Sequence, residues 1–264
     1  MSNPTRSRLA TTAVVAIELL IAAGSPASAQ EAAGLATADA IASAVTSARE
    51  GTVWFQFAAR PDAWGDGKRW NMGSLTSSNR RCRCTNGPVI VEVRVDEGSE
   101  IRLRSQVGGE RGAGDDLGTV SAPAAAEYLL RLAARLPEKS AEEAIQAAVA
   151  ALDAETWPAL LDISRDRSRP ADVRSTALFW VAHEAGVAAA DELEGIAVAS
   201  EEDPEVQEAA VFAITQLPGD RGTDLLLNIA RSNRNPEIIE TVFFWLGQSG
   251  DPRATDLFEE VLLR

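Results

Sequence analysis

Side chains equipped for chemistry are scarce in this sequence. His183 is the single imidazole, and Cys82 and Cys84 are the two thiols, among 264 residues. That is too few ligands for a structural zinc, which takes four, and too few partners for a histidine-based triad. General-base work needs an ionisable group held with partners in a cleft. The positions that repeat His183 further along the chain hold Gln216 and Gln248, so a hydrogen-bonding role near a helix end is expected. Cys82 and Cys84 form a candidate disulfide, to each other or to another chain, if the compartment is oxidising. Their spacing makes a small, strained ring and is not the two-residue spacer of a redox thiol pair. The run Glu201, Glu202, Asp203, Glu205 and Glu208 lacks the glycine and terminal glutamate at the places a calcium loop requires. It reads as a solvated helix start, where each charge is favourable by about 0.3–1 kcal/mol. Trp64 just precedes the stretch 65–87, which holds Trp70 beside Lys68, Arg69, Arg80, Arg81 and Arg83. That composition suits an anionic partner, but a long solvated loop is the reading adopted. No catalytic residue, metal or cofactor is therefore assigned, and a non-enzyme is expected. The rival is an envelope hydrolase or other enzyme with its site in the N-terminal region, where no nucleophile–base pair is identifiable.

Charge and composition set the class. Acidic residues outnumber basic ones 39 to 25, a net charge of -14, which excludes a general nucleic-acid binder because phosphate contacts need an excess of positive charge. With 45% hydrophobic and 24% charged residues, the chain can bury a core. The charge is divided unevenly. Residues 51–112 hold ten basic and seven acidic side chains, a balance of +3, and residues 113–264 hold twelve and twenty-eight, a balance of -16. The texture changes at the same place, from alternating Trp, Val and Arg to helical runs of Ala, Leu and Glu, so a domain boundary is expected within Gly108–Gly118.

Residues 1–29 read as a signal peptide. Arg6 and Arg8 form the positive end, Leu9 to Gly24 the apolar stretch, and Ala27-Ser28-Ala29 the cleavage site. Export to the periplasm or the medium is expected. No other segment has the eighteen or more apolar residues of a spanning helix, so no membrane span is expected in the mature chain.

The elements that position everything else fall into three parts. Residues 30–112 form a small α+β domain. Its helix runs from Ala38 to Ala48 with Ile41 and Val45 on one face, and in its first strand Val53, Phe55 and Phe57 alternate with Trp54 and Gln56. A hairpin follows, with Val89, Val91, Val93 and Val95 on one face, a turn at Asp96-Glu97-Gly98-Ser99, and Ile101, Leu103 and Val107 returning. Its other face carries Glu92, Arg94, Arg102 and Arg104. Residues 113–136 are expected to be a linker and a capping helix.

From 137 to 264 the sequence repeats itself. Val173, Ala177, Leu178, Phe179 and Val181 recur as Val206, Ala210, Val211, Phe212 and Ile214, then as Ile238, Val242, Phe243, Phe244 and Leu246, at offsets of 33 and 32. The second half of each unit recurs too: Leu160 and Ile163, Leu193 and Ile196, Leu226 and Ile229, Phe258 and Val261. Each unit is two helices with a glycine between them, at Gly186, Gly219 and Gly250, and a proline near the start of the first, at Pro170, Pro204 and Pro236. Asp203 and Asn235 are placed to cap, and Ser140 with Glu143 has capping-box spacing and opens a more degenerate unit. The apolar stripe of the first helices is too wide for one partner and is expected to be buried by stacking units into an α-solenoid of about four repeats. Trp180 and Trp245 share a position with Ala213 and are expected in the core.

The segment Asn235-Pro236-Glu237-Ile238, followed by Phe244 to Ala254 as FWLGQSGDPRA, resembles HEAT repeats, in particular the short HEAT-like units of exported bacterial proteins named after phycobilisome lyases. The resemblance covers roughly the last 125 residues and recurs in register. It implies a mostly α protein, a C-terminal HEAT-like α-solenoid behind a small α+β domain, that works as a scaffold binding another protein or a second copy of itself. Gln207 and Ile239 replace the basic residue found at Arg174, so a continuous ladder of Asp–Arg pairs between units is not expected. The inner curve would be lined by second helices, with Glu194, Asn228, Arg231 and Glu260 as partner-facing positions.

Overall fold

The computed structural model describes residues 35–68, 70–73 and 84–263. The expected signal peptide, residues 1–29, lies outside the described residues, as do Cys82 and Arg69, Arg80, Arg81 and Arg83 of the basic stretch. The chain is mostly α with a small mixed sheet.

The first helix, α1 (Ala38–Ser47), starts where the Thr37 hydroxyl accepts from the Ala40 amide at 3.2 Å, and it buries Ile41 and Val45. Four strands form the main sheet: β1 (Gly51–Phe57), β4 (Val89–Asp96), β5 (Ser99–Val107) and β6 (Asp115–Thr119), in the order β5-β4-β1-β6. Two short strands, β2 (Ala63–Gly65) and β3 (Trp70–Met72), pair antiparallel beside it, so the stretch expected to be one long loop carries a hairpin. The β4–β5 connection is a two-residue turn at Glu97 and Gly98, both with positive φ, which matches the twist of the strands it joins.

Val53, Phe55, Phe57, Val89, Val91, Val93, Val95, Leu103 and Val107 are all buried, as the alternation requires. Ile101 is not: it is 43% exposed, while Glu100 is buried. A register shift lies at Arg94/Val95, where Arg94 faces Arg102 but Val95 faces Glu100. The extra residue is a β-bulge, and one inserted residue turns the following side chains to the opposite face.

Where a linker was expected, residues 113–136 hold a strand, followed by a helix as expected. Strand β6 lies within them and runs parallel to β1, and Gly114 approaches Thr52 so closely that a Cβ would sit 2.3 Å from its carbonyl oxygen. Helix α2 (Ala122–Ala133) then packs on α1, and α3 (Glu138–Val149) packs on α2 and on β5. The boundary expected at Gly108–Gly118 therefore falls inside the sheet layer, and one continuous core runs from Ala38 to Leu257.

Seven further helices complete the chain: α4 (Trp157–Arg165), α5 (Ala171–Ala185), α6 (Ala190–Val198), α7 (Pro204–Thr215), α8 (Arg221–Ser232), α9 (Pro236–Ser249) and α10 (Pro252–Leu262). Helices α3, α5, α7 and α9 touch in succession, and α6 touches α8. Gly186, Gly219 and Gly250 all adopt positive φ at the equivalent turn, which a side chain would strain. Asp203 accepts from the Glu205 amide at 3.0 Å and Asn235 from the Glu237 amide at 3.1 Å, the capping expected of them.

Ser140 and Glu143 do not form a capping box. Helix α3 begins at Glu138, so both lie within it, one turn apart. The Ser140 hydroxyl accepts from the Leu103 amide at 3.3 Å and Glu143 from the Ser105 amide at 2.9 Å. Strand β5 is a sheet edge, and these are its outward donors.

Candidate interaction surface

Helices α5, α7 and α9 lie side by side, and each carries a phenylalanine at the same repeat position: Phe179, Phe212 and Phe244. Phe179 is 37% and Phe244 57% exposed, and Phe212 is half-buried. Stacking of units was expected to cover them. It does not, because each residue follows a core position, Leu178, Val211 or Phe243, by one step of about 100° around the helix, which carries it off the buried stripe. Trp180 and Trp245, expected in the core, are half-buried against it.

The rings join across the helices. Phe179 and Phe212 are stacked at 6.2 Å, Phe212 meets Trp245 at 5.0 Å, and Trp245 meets Phe244 at 5.1 Å. His183 is exposed and stacks on Phe179 at 6.5 Å, so the lone imidazole extends this row.

Carboxylates border the row at fixed spacing. Asp172, Glu205 and Glu237 precede the phenylalanines by seven residues, and Glu208 and Glu240 precede theirs by four. These spacings keep them on the phenylalanine's face of the helix, and all of these carboxylates are exposed. Glu208, Glu237, Glu240, Thr241 and Phe244 line a groove of about 370 Å³. Among the described residues, no lysine or arginine is paired with any of the five border carboxylates. A hydrogen bond with Asp172 holds the Glu205 carboxyl above the usual carboxylate range, helped by some burial and by the charges of Asp172, Asp203 and Glu208.

The acidic run is thus not solvated throughout. Glu202 turns inward to the buried Arg174 at 2.7 Å, and the Arg174 Nε donates to the Ser164 carbonyl at 2.8 Å. Burial opposes the charge on Glu202, but hydrogen bonds from Arg174 and from the Asp203 amide outweigh it and hold the carboxyl low. Gln207, the repeat equivalent of Arg174, donates to the Ala199 carbonyl at 2.8 Å. Both side chains therefore tie a first helix to the end of the second helix before it.

A ladder of arginine–carboxylate pairs between units, not expected from the sequence, does join the second helices, because its basic residues lie there and not at the position of Arg174. Arg165 pairs with Glu192, Arg221 with Asp191 at 2.7 Å, and Arg253 with Asp224 at 2.5 Å. Of the positions expected to face a partner, Glu194 and Asn228 are brought together, with the Asn228 amide donating to Glu194 at 2.6 Å. Arg231 and Glu260 are exposed on α8 and α10. A groove of about 530 Å³ beside them is lined by Asp191, Glu194, Gly195, Val198 and residues 232–234. The aromatic row was missed from sequence, although the recurrence of carboxylate and phenylalanine at spacings of four and seven was present to be read.

In the N-terminal unit, the Ser105 hydroxyl donates to Glu143 at 2.6 Å and accepts from the Trp70 indole at 3.2 Å. Ser105 and Glu143 border a polar pocket of about 430 Å³ with Lys68, Glu92 and Arg104. Cys84 is disulfide-bonded. Among the described residues no group of three or more His, Cys, Asp or Glu is placed to hold a metal ion, and no helix is long and apolar enough to cross a membrane.

Compared with protein-family models, with curated proteins and with solved structures, the chain matches none.

Proposed function

We propose that the protein is an exported interaction scaffold without catalysis of its own, whose HEAT-like units stack into an α-solenoid and hold another protein. The observation that carries this reading is the aromatic row. Three successive units place a phenylalanine at one repeat position, exposed at Phe179 and Phe244 and half-buried at Phe212, while Val173, Val206, Ile238, Val181, Ile214 and Leu246 on the same helices are buried. Contiguous exposed aromatic surface of this kind marks interaction sites, and repeat proteins present such surfaces along the stack. The rings are preordered against one another, so little rotamer freedom is lost when a partner covers them. The succession of contacts α3, α5, α7 and α9 and the 33- and 32-residue offsets support the solenoid part of the reading.

One hydroxyl–carboxylate pair from which an enzyme in the N-terminal unit could start is Ser105 and Glu143. That carboxylate already accepts from the backbone of an edge strand, which makes the pair a fastening between strand and helix.

The test is recovery of a partner from the extracytoplasmic fraction with the tagged full chain and with Phe179→Ala/Phe244→Ala. A protein retained by the parent and lost from a variant with unchanged circular dichroism supports the reading. Equal retention by both contradicts it.

A further inference from the structure

The same face carries information about the chemistry of its partner. An exposed ring attracts cations through the negative potential over its face. The five carboxylates beside these rings, Asp172, Glu205, Glu208, Glu237 and Glu240, repeat with them from helix to helix. A neutral apolar partner laid over the rings would strip water from those charges without replacing it, and an acidic one would be repelled. A cationic side chain satisfies both features at once, with its charge at a carboxylate and its stem along a ring.

Resting on the scaffold reading above, we infer that the α5–α7–α9 face receives an extended arginine- or lysine-rich segment of a partner protein. Its cations sit between the carboxylates and the rings of Phe179, Phe212 and Phe244.

The geometry also sets a spacing for that segment. Packed helices lie about 8–10 Å apart, and an extended polyproline II chain advances about 3.1 Å per residue with three residues per turn. Such a chain crossing the helices meets the next one about every three residues with its side chain back on the same face, so basic residues at every third position fit the repeat. The groove beside Phe244, with Glu208 on one helix and Glu237 and Glu240 on the next, is where such a side chain is enclosed on two sides.

The experiment titrates the full chain calorimetrically with synthetic peptides carrying arginine, leucine or glutamate at every third position between Gly and Ser. The arginine peptide is expected to bind, and to weaken as salt is raised. Glu208→Gln/Glu237→Gln/Glu240→Gln is expected to weaken it about tenfold, the loss carried by three exposed ion pairs, and Phe244→Ala by about threefold. Glu155→Gln/Asp162→Asn/Asp256→Asn removes the same charge elsewhere and is expected to have little effect. Equal weakening by both triple variants, or equal binding of the leucine peptide, overturns the inference. So does self-association that the first triple variant abolishes, which would assign the face to a second copy. If the arginine peptide fails to bind while Phe179→Ala/Phe244→Ala still loses a co-purifying protein, this inference falls and the scaffold reading stands. If that protein is retained as well, both fall.

Discussion

The carboxylate of Glu143 accepts from both the amide and the hydroxyl of Ser105, at 2.9 and 2.6 Å, across 38 residues of chain. With Ser140 on Leu103 one turn away, it makes the first helix of the repeat region the cover of the sheet's edge strand. A step in charge and texture therefore marks no structural seam here. Glu143→Ala leaves two donors of β5 without their acceptor and should cost about 1–3 kcal/mol in chemical denaturation. Glu143→Gln keeps an acceptor oxygen and should lose less. An alanine variant as stable as the parent would contradict this role.

Arg174 and Glu202 form an ion pair with side chains only 4% and 8% exposed. Removing one partner of a buried pair strands the other charge, so Arg174→Ala should cost about 3–5 kcal/mol. The next unit solves the same problem without charge, through Gln207 on the Ala199 carbonyl. Arg174→Gln/Glu202→Gln should therefore lose clearly less than Arg174→Ala, measured by the same denaturation midpoints. Equal losses would mean that the charge itself, and not the tie to the preceding helix, is what matters.

The Glu205 carboxyl is held above its ordinary range, first by its hydrogen bond with Asp172, with Asp203 and Glu208 adding repulsion. For a carboxyl raised on folding, the native state binds more protons than the unfolded chain within that window. Its favourable contribution is complete below the unfolded value and is lost as pH rises through the folded one. Glu205→Gln should thus stabilise the protein near pH 7 relative to the parent, with the difference closing as the pH falls below the carboxylate range. A constant difference at all pH values would rule out this linkage.

His183 sits exposed against Phe179, and its repeat equivalents are Gln216 and Gln248. His183→Gln should change stability by no more than about 0.5 kcal/mol. A large loss of any measurable activity would reopen the imidazole as a catalytic group.

What could be read from sequence follows the range of the rule involved. The caps at Asp203 and Asn235, the glycine turns and the inward valines and phenylalanines of β1 and β4 depend on neighbours a few residues away and stand where spacing put them, although Trp54 and Ile90 on the other face are buried as well. Strand β6, Asp115–Thr119, has no apolar alternation and is held by pairing with a strand sixty residues earlier in the chain, so no local pattern marks it. The bulge that exposes Ile101 places Glu100 under the Tyr128 hydroxyl at 3.1 Å and Arg135 at 3.0 Å. Those partners lie on and just after α2 and compensate a buried carboxylate that spacing alone would have turned outward. The candidate surface was half legible. The repeat put Phe179, Phe212 and Phe244 in one column, but reading them as stripe residues hid that one step around the helix exposes them.

The most direct test of the account is site-specific photo-crosslinking of the full chain, with the reactive side chain at Phe179 or Phe244 on one face and at Asp191 or Asn228 on the other. The account predicts one partner band from both phenylalanine positions and none from the second-helix positions. A partner captured only from Asp191 or Asn228 would contradict it.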